Sequence, residues 1–187
     1  MKKALITFSI FFLLTSIALP AKVGGVFLPE FMRSGKTVLF LNGTGVRKKF
    51  WFKIYAMGLY LKKKSNNAQE ILNADEPMAI RMNFIYNGVS AKKMRNAWNE
   101  GFEKSTHGNI APIKDKIAKF NSLFNVEVKK GYVYDLIYSP EKGTSVYLNG
   151  KLLGTIKGLD FKKALFGIWI GDKPINKGLR KKLLGLD

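Results

Sequence analysis

The chain has 187 residues, a formal net charge of +19, one histidine and no cysteine, and 47% of its residues are hydrophobic. The lack of cysteine excludes disulfides, thiol nucleophiles and a lipidated cysteine anchor, and a single histidine excludes a histidine-rich zinc site. The hydrophobic fraction supports a packed globule, and the diffuse lysine suits attraction to anionic surfaces. No helix-turn-helix, zinc or RNA-platform motif accompanies the charge, so nucleic acid is not a predicted partner.

The N-terminus has the layout of a secretory signal. Residues 1–3 are Met-Lys-Lys, residues 4–19 are apolar without a charge, and Pro20 and Ala21 close the segment. This layout predicts a signal peptide over residues 1–21, export to the periplasm or the cell exterior, and one domain over residues 22–187. The apolar run is short for a membrane-spanning helix, and an uncleaved anchor is the alternative.

The most informative stretch covers residues 38–61, VLFLNGTGVRKKFWFKIYAMGLYL. Two apolar runs of β type flank a glycine-containing segment, which predicts a hairpin whose turn carries Arg47. Both faces of the second run are largely apolar, so that strand is expected to be covered on both sides or to line a hydrophobic pocket on one. On composition alone, Arg47 is better explained as an exposed turn residue beside Lys48 and Lys49.

The remaining sequence predicts an α+β fold with an antiparallel sheet, because strands run together, helices are grouped and the turns are of hairpin type. Ser90 is a suitable helix N-cap, and Asn149-Gly150 predicts a tight hairpin. Along the predicted strand at 78–86, alternation places Met78, Ile80, Met82, Phe84 and Tyr86 on one face. Arg81 lies on the opposite face and is expected to pair with an acid such as Asp135. Helices are predicted at residues 68–73, 91–104, 112–124, 160–171 and 179–184, and strands at 78–86, 126–128, 132–138, 145–148 and 151–157.

The order LNGxGVR and then KxYAMGLYL resembles the chalcone-isomerase-like family, in which a G-V-R turn precedes a K-F-T-A-I-G-V-Y-L type strand. Residues 161–185, FKKALFGIWIGDKPINKGLRKKLLG, are similar to the closing helical hairpin of its bacterial members. The resemblance implies an open-faced β-sandwich, in which an antiparallel sheet and a helical layer enclose a ligand cleft.

The resemblance also implies site residues. In chalcone isomerases the turn arginine, here Arg47, binds the substrate phenolate during intramolecular ring closure, and in fatty-acid-binding relatives it meets the lipid carboxylate. Tyr55 falls where the isomerases carry a strand threonine, and Asn96 where they carry a helix asparagine. Their tyrosine falls at Val89 and their C-terminal hydroxyl residue near Ile168, so two polar groups are replaced by aliphatic ones. Without the resemblance, Tyr55 is equally well explained as a half-buried sheet tyrosine, and Asn96 as a solvent-facing helix residue.

These residues support three functions. The leading one is an exported domain that binds a small apolar ligand with an anionic head through Arg47, Tyr55 and Asn96. A fatty acid is the preferred ligand, and a flavonoid-like molecule is the alternative. The second is an intramolecular lyase of the chalcone isomerase type, acting on an enone with Arg47 and Tyr55 as catalytic residues. The third is a non-catalytic envelope protein that docks on anionic membrane surfaces. No metal or cofactor is predicted.

Other candidate residues have structural explanations. His107 lies in a polar stretch after a helix and is predicted to be an exposed loop residue. The aromatic side chains Trp98, Phe102 and Trp169 are predicted to belong to the core, with pocket lining as the alternative.

Overall fold

The computed structural model describes residues 21–186, so the predicted signal segment lies outside the described residues except for Ala21. The strands are β1 Ala21–Val23, β2 Val26–Leu28, β3 Phe31–Ser34, β4 Thr37–Lys49, β5 Phe52–Leu61, β6 Met78–Phe84, β7 Val133–Ser139, β8 Gly143–Leu148 and β9 Lys151–Ile156. The α-helices are α1 Ala68–Asn73, α2 Ala91–Ser105, α3 Lys114–Ser122, α4 Leu159–Ile170 and α5 Lys177–Leu183, and a 3-10 helix spans Ala111–Ile113. None of the helices within residues 21–186 is long and apolar enough to span a membrane.

The architecture confirms the predicted α+β fold. β3 to β9 form a seven-stranded antiparallel sheet in sequence order, and β1 and β2 form a small separate sheet. The helices cover one face of the large sheet and enclose the main core with it. The sheet curls so that β3 approaches β6 and β7, and Ser34 Oγ donates a hydrogen bond of 3.3 Å to the Tyr138 carbonyl. A second, smaller core cluster lies on the face of the large sheet that the helices do not cover, so β5 is buried on both sides as predicted.

The alternation of side chains along β6 is also confirmed. Met78, Ile80, Met82 and Phe84 all belong to the main core, whereas Tyr86 lies beyond the end of β6 and is exposed. Arg81 lies on the opposite face, where its side chain donates two hydrogen bonds to the carboxylate of Asp135 on β7.

The predicted position of the β4–β5 turn is wrong. Gly43 and Gly45 lie inside β4, and the chain turns at residues 50–51 instead. The glycines are required by packing rather than by a turn, because a Cβ on Gly43 would lie 2.2 Å from the Lys182 carbonyl oxygen and one on Gly45 would lie 2.5 Å from Leu179 Cδ1. Helix α5 therefore packs directly against the backbone of β4, and Arg47 is a strand residue.

Several local predictions are confirmed at residue level. The Ser90 hydroxyl caps α2 by accepting a hydrogen bond from the Lys93 amide. Asn149 and Gly150 both have positive φ angles, 49° and 80°, as a tight hairpin requires. The predicted strand at 126–128 is reduced to a single bridge between Val128 and Val89.

A buried lysine joins α4 to the end of α1, and the sequence analysis did not single it out. The Lys162 ammonium donates hydrogen bonds of 2.8, 3.0 and 2.8 Å to the carbonyls of Ile71, Leu72 and Ala74. These are carbonyls that the end of a helix leaves without intrahelical donors. Burial, reinforced by the charge of Lys163, lowers the pKa of Lys162 to about 8.

This lysine predicts an unusual pH dependence of stability. The ordinary lysine pKa of 10.5 applies to the unfolded chain, so above pH 8 the unfolded state binds more protons at Lys162 than the folded state. The free energy of unfolding should therefore rise between about pH 8 and 9.5. Urea unfolding followed by circular dichroism at these two pH values measures it. In Lys162→Met the rise should vanish, and an unchanged rise in that variant would contradict the assignment.

Candidate functional site

Arg47 and Tyr55 are brought together by the register of the sheet. They are direct cross-strand partners on β4 and β5, so their side chains emerge on the same face, the one that carries the main core. Arg47 is half-buried, and its Nη1 donates a hydrogen bond to the Lys48 carbonyl. A change of register between Arg47 and Lys48 places this pair at the last regular position before the hairpin tip.

The Tyr55 hydroxyl is buried and oriented. It accepts a hydrogen bond of 3.0 Å from Trp169 Nε1 on α4. Burial raises the pKa of Tyr55, and the Trp169 hydrogen bond and the positive charge of Arg47 oppose that rise. The phenol is therefore neutral at physiological pH. Because the bond from Trp169 uses an oxygen lone pair, the hydroxyl hydrogen is available for another acceptor.

Tyr55 and Trp169 belong to a closed circuit of six aromatic side chains between the sheet and the helices, which we call the aromatic circuit. Its members are Tyr55, Phe84, Tyr134, Phe124, Trp98 and Trp169. The centroids of successive rings lie 5.3, 5.9, 5.1, 5.2 and 5.7 Å apart, and the Trp169–Tyr55 hydrogen bond closes the circuit. Three members come from strands, two from α2 and α4, and Phe124 follows α3.

Two polar atoms of the aromatic circuit are buried without a hydrogen-bond partner among residues 21–186. They are Trp98 Nε1 and the Tyr134 hydroxyl. Burial, with a smaller effect of Tyr132, raises the pKa of Tyr134 to about 12. A buried polar group that forms no hydrogen bond costs about 1–3 kcal/mol. Both atoms therefore retain an unused hydrogen-bonding position inside an otherwise apolar surrounding.

Asn96 takes a different position from Arg47 and Tyr55. It is exposed on α2, and no hydrogen bond in the described part of the chain joins it to either residue. One turn further along the same helical face lies Glu100. The hydrogen bond from Lys104 is the main cause that lowers the pKa of Glu100, and the charges of Lys49 and Arg47 act in the same direction. Asn96 thus lies on the side of α2 whose electrostatics Arg47 influences, outside the aromatic circuit.

The two positions at which family polar groups are replaced have apolar surroundings. Val89 is partly buried against the main core, and Ile168 is buried on α4. Ile168 contacts Gly101 of α2 so closely that a Cβ on Gly101 would lie 2.9 Å from Ile168 Cδ1. Neither position offers a hydroxyl to a ligand or to a water molecule.

Two cavities lie elsewhere on the molecule. One, of about 760 Å³, lies beside α1 at the other end of β5 and has polar residues such as Asn42, Lys63 and Glu70 in its wall. The other, of about 350 Å³, is lined by residues of α1, α4 and the loop that contains His107. His107 is exposed as predicted, and its Nε2 lies 3.1 Å from an Asp172 carboxylate oxygen. Neither cavity is lined by Arg47 or Tyr55.

Sequence reasoning identified only part of this arrangement. Trp98 was predicted to belong to the core, the alternation along β6 placed Phe84 on an apolar face, and both side chains are buried. Nothing in the spacing indicated that these two side chains belong to one circuit with four other aromatic residues, because the contacts link three strands, two helices and the segment after α3.

Comparison with known proteins identifies the family to which this fold belongs. The chain matches the chalcone isomerase-like family over residues 20–185. It is 23% identical over 182 residues to Fatty-acid-binding protein 2 of Arabidopsis thaliana, covering 81% of this chain and 45% of that protein. It is 24% identical over 173 residues to Fatty-acid-binding protein 1 of the same plant, covering 77% and 62%. The chain therefore spans between about half and three fifths of the length of these two relatives.

A solved structure supports the same assignment of fold. The crystal structure of the Arabidopsis thaliana fatty-acid binding protein AtFAP1 has a TM-score of 0.72 and 22% sequence identity to this chain, covering 86% of this chain and 92% of that one. The family match extends over nearly the whole described domain and includes both Arg47 and Tyr55. The chain belongs to the chalcone isomerase-like family.

Proposed function

We propose that this protein binds a small amphipathic molecule with an anionic head, and that a fatty acid is its ligand. The observation that carries the proposal is the cross-strand pair of Arg47 and Tyr55 at the border of the aromatic circuit. The names of the two plant relatives and of the solved structure support the same ligand class.

In this proposal Arg47 binds the carboxylate head group. A guanidinium is permanently charged and matches the two oxygens of a carboxylate. One of its nitrogens, Nη1, already bonds the Lys48 carbonyl, which leaves Nη2 and Nε for a ligand. The Tyr55 hydroxyl, held by Trp169, donates its hydrogen to the same head group. We give Asn96 no direct contact with the ligand, because it is exposed on α2.

The hydrocarbon chain is proposed to lie among the rings of the aromatic circuit. These side chains form an apolar surrounding that begins at Tyr55. Since the rings already contact one another, entry of the chain requires them to repack. Val89 and Ile168 add aliphatic surface where the isomerases carry polar groups, which favours binding of an alkyl chain over orientation of a flavonoid and a catalytic water.

The location of the protein is also part of the proposal. The layout of residues 1–21 supports export to the periplasm or the cell exterior. The mass of the protein purified from its own cell would locate the N-terminus and test this directly.

The experiment that tests the ligand is native mass spectrometry of the protein purified from its expressing cell, followed by extraction and identification of any bound molecule. We expect a fatty acid or a closely related anionic amphiphile at about one molecule per chain. A protein that is empty and also fails to bind added fatty acids would contradict the proposal. Cyclisation of a chalcone that disappears in Arg47→Ala would instead establish the isomerase function.

A further inference from the structure

The tip of the β4–β5 hairpin, residues 48–53, has the sequence Lys-Lys-Phe-Trp-Phe-Lys and projects its aromatic side chains into solvent. Phe50 and Trp51 are each 80% exposed and Phe52 is 43% exposed. The rings of Phe50, Trp51, Phe52 and Tyr86 follow one another at centroid distances of 5.9, 5.5 and 5.4 Å. The tip is thus a continuous exposed aromatic surface rather than a set of isolated side chains.

The backbone at the tip is also unusual. Phe50 has a φ angle of 53°, in the left-handed region that glycine and asparagine adopt more easily than a bulky aromatic residue. A side chain that is 80% exposed recovers little of that cost by burial within the chain. An unfavourable backbone conformation that displays an apolar ring to solvent suggests a role for the ring outside the folded domain.

Cationic side chains surround these rings. Lys48 and Lys53 are cross-strand partners, Lys49 is the partner of Phe52, and all three lysines are exposed. The whole chain carries a formal charge of +19. Tryptophan and phenylalanine next to lysine are the residues that insert into the boundary between headgroups and acyl chains of an anionic membrane.

We propose that the hairpin tip docks the protein on anionic lipid bilayers, with Phe50 and Trp51 inserted into the interface and Lys48, Lys49 and Lys53 bound to the headgroups. Charge complementarity selects an anionic bilayer as the partner, and the exposed rings supply the apolar contact. Docking would place Arg47, which directly precedes the tip, next to the lipid surface. At that position Arg47 could exchange a ligand with the membrane, and only this consequence of docking depends on the proposed function. Docking itself does not depend on it.

The test uses a chain that begins at residue 21, so that the apolar residues 4–19 cannot bind lipid themselves. Residues 21–186 contain the complete sheet, the helices that cover it and a continuous core, so this part folds as a unit. The probes are vesicles of phosphatidylcholine alone and of phosphatidylcholine with an equal amount of phosphatidylglycerol. We expect binding to the anionic vesicles that weakens as salt is raised, because counterions screen lysine–headgroup attraction.

Tryptophan fluorescence reports the inserted residue. Trp98 and Trp169 are buried, whereas Trp51 is exposed, so a blue shift on vesicle binding originates from Trp51. The double variant Phe50→Asn and Trp51→Ser lacks this reporter, so co-sedimentation with the vesicles measures its partition coefficient, which should fall about tenfold or more. Asparagine tolerates the left-handed conformation of residue 50, which preserves the turn. Circular dichroism confirms that the variant is folded.

Matched controls come from other exposed residues of the same types. Phe31 and Phe40 are cross-strand partners, 53% and 50% exposed, at the other end of β4. Changing both to serine should alter vesicle binding less than about twofold, since they lie outside the docked tip. Replacing Lys48, Lys49 and Lys53 by glutamine should weaken binding about tenfold, and the same change at the exposed Lys62, Lys63 and Lys64 should weaken it much less.

Two results would overturn the proposal. One is the absence of binding to anionic vesicles by the parent chain, which would leave the tip as a contact surface for a protein. The other is an equal loss of vesicle binding in the tip variants and in their matched controls, which would show that diffuse charge attraction holds the protein on the vesicles without a docking site. Fatty-acid binding in solution is measured separately, so failure of docking and failure of the proposed ligand are distinguishable.

Discussion

Arg47→Ala is expected to lower the affinity for a fatty acid at least about 100-fold, because loss of one partner of a desolvated ion pair costs about 2–5 kcal/mol. The carboxylate would remain at the border of the aromatic circuit with only the Tyr55 hydroxyl as a donor. Displacement of a fluorescent fatty acid at constant salt measures the change. Arg47→Lys should recover part of the affinity, since it restores the charge without the planar pair of donors.

The matched control is Arg33→Ala. Arg33 is an exposed arginine on β3, so its removal changes the net charge equally but leaves the candidate site intact. The fatty-acid affinity of this variant should stay within about twofold of that of the parent protein, as expected for loss of a solvent-exposed charge. Equal affinities of the Arg47 and Arg33 variants would show that Arg47 does not bind the head group. Tyr55→Phe should give an intermediate loss of about tenfold, typical of one hydrogen bond.

Much of the fold was predictable because it depends on local rules. Residues 68–73 form a helix as predicted, Ser90 caps the next one, and α4 is followed by Gly171. Hydrophobic periodicity along β6 assigned both of its faces correctly, including the outward position of Arg81. In each of these cases the deciding interaction lies within a few residues of the sequence.

The errors arise where distant segments decide the structure. Glycines suggested a turn at residues 43–45, yet they are needed because the backbone of α5 passes over β4. The turn at Phe50 contains none of the usual turn residues, so local turn chemistry could not have identified it. Lys162 was missed for the same reason, since its three acceptors lie near the end of α1, about 90 residues earlier in the chain.

The residues of the candidate site were predictable through the resemblance, but their arrangement was not. Arg47 was identified by resemblance, and Tyr55 by its place in the strand pattern that follows. The direct pairing of the two residues depends on the register between β4 and β5. Because the turn was predicted at the wrong residues, this register could not be predicted. The hydrogen bond from Trp169 to Tyr55 spans 114 residues and required the positions of the sheet and α4.

Asp135→Ala is expected to lower the free energy of unfolding by about 3–5 kcal/mol, because it leaves a largely buried cation without its carboxylate. Arg81 and Asp135 are partners on β6 and β7, joined by an Nε–Oδ1 bond of 2.7 Å and an Nη2–Oδ2 bond of 2.8 Å. Their side chains are only 27% and 9% exposed. In the parent protein the Asp135 hydrogen bond is the main cause that raises the pKa of Arg81. A guanidinium stays protonated in proteins even without such a partner, so in the variant the arginine cannot lose its charge to avoid the cost.

A surface ion pair of the same molecule provides the control. Lys62 Nζ lies 3.3 Å from Glu76 Oε2, and these side chains are 48% and 41% exposed. Glu76→Ala should therefore cost no more than about 1 kcal/mol. Urea unfolding of both variants at neutral pH makes the comparison, and equal shifts of their midpoints would contradict the assigned role of burial.

The double variant Arg81→Met and Asp135→Leu separates the cost of an orphaned charge from the net contribution of the pair. Replacing a buried ion pair by apolar residues of similar size is often neutral or stabilising, whereas removal of one partner is not. We therefore expect the double variant to be more stable than Asp135→Ala by at least about 2 kcal/mol. If it is instead less stable than that single variant, the ion pair itself stabilises the sheet. The cost of Asp135→Ala is then the loss of a favourable contact rather than the burial of an uncompensated charge.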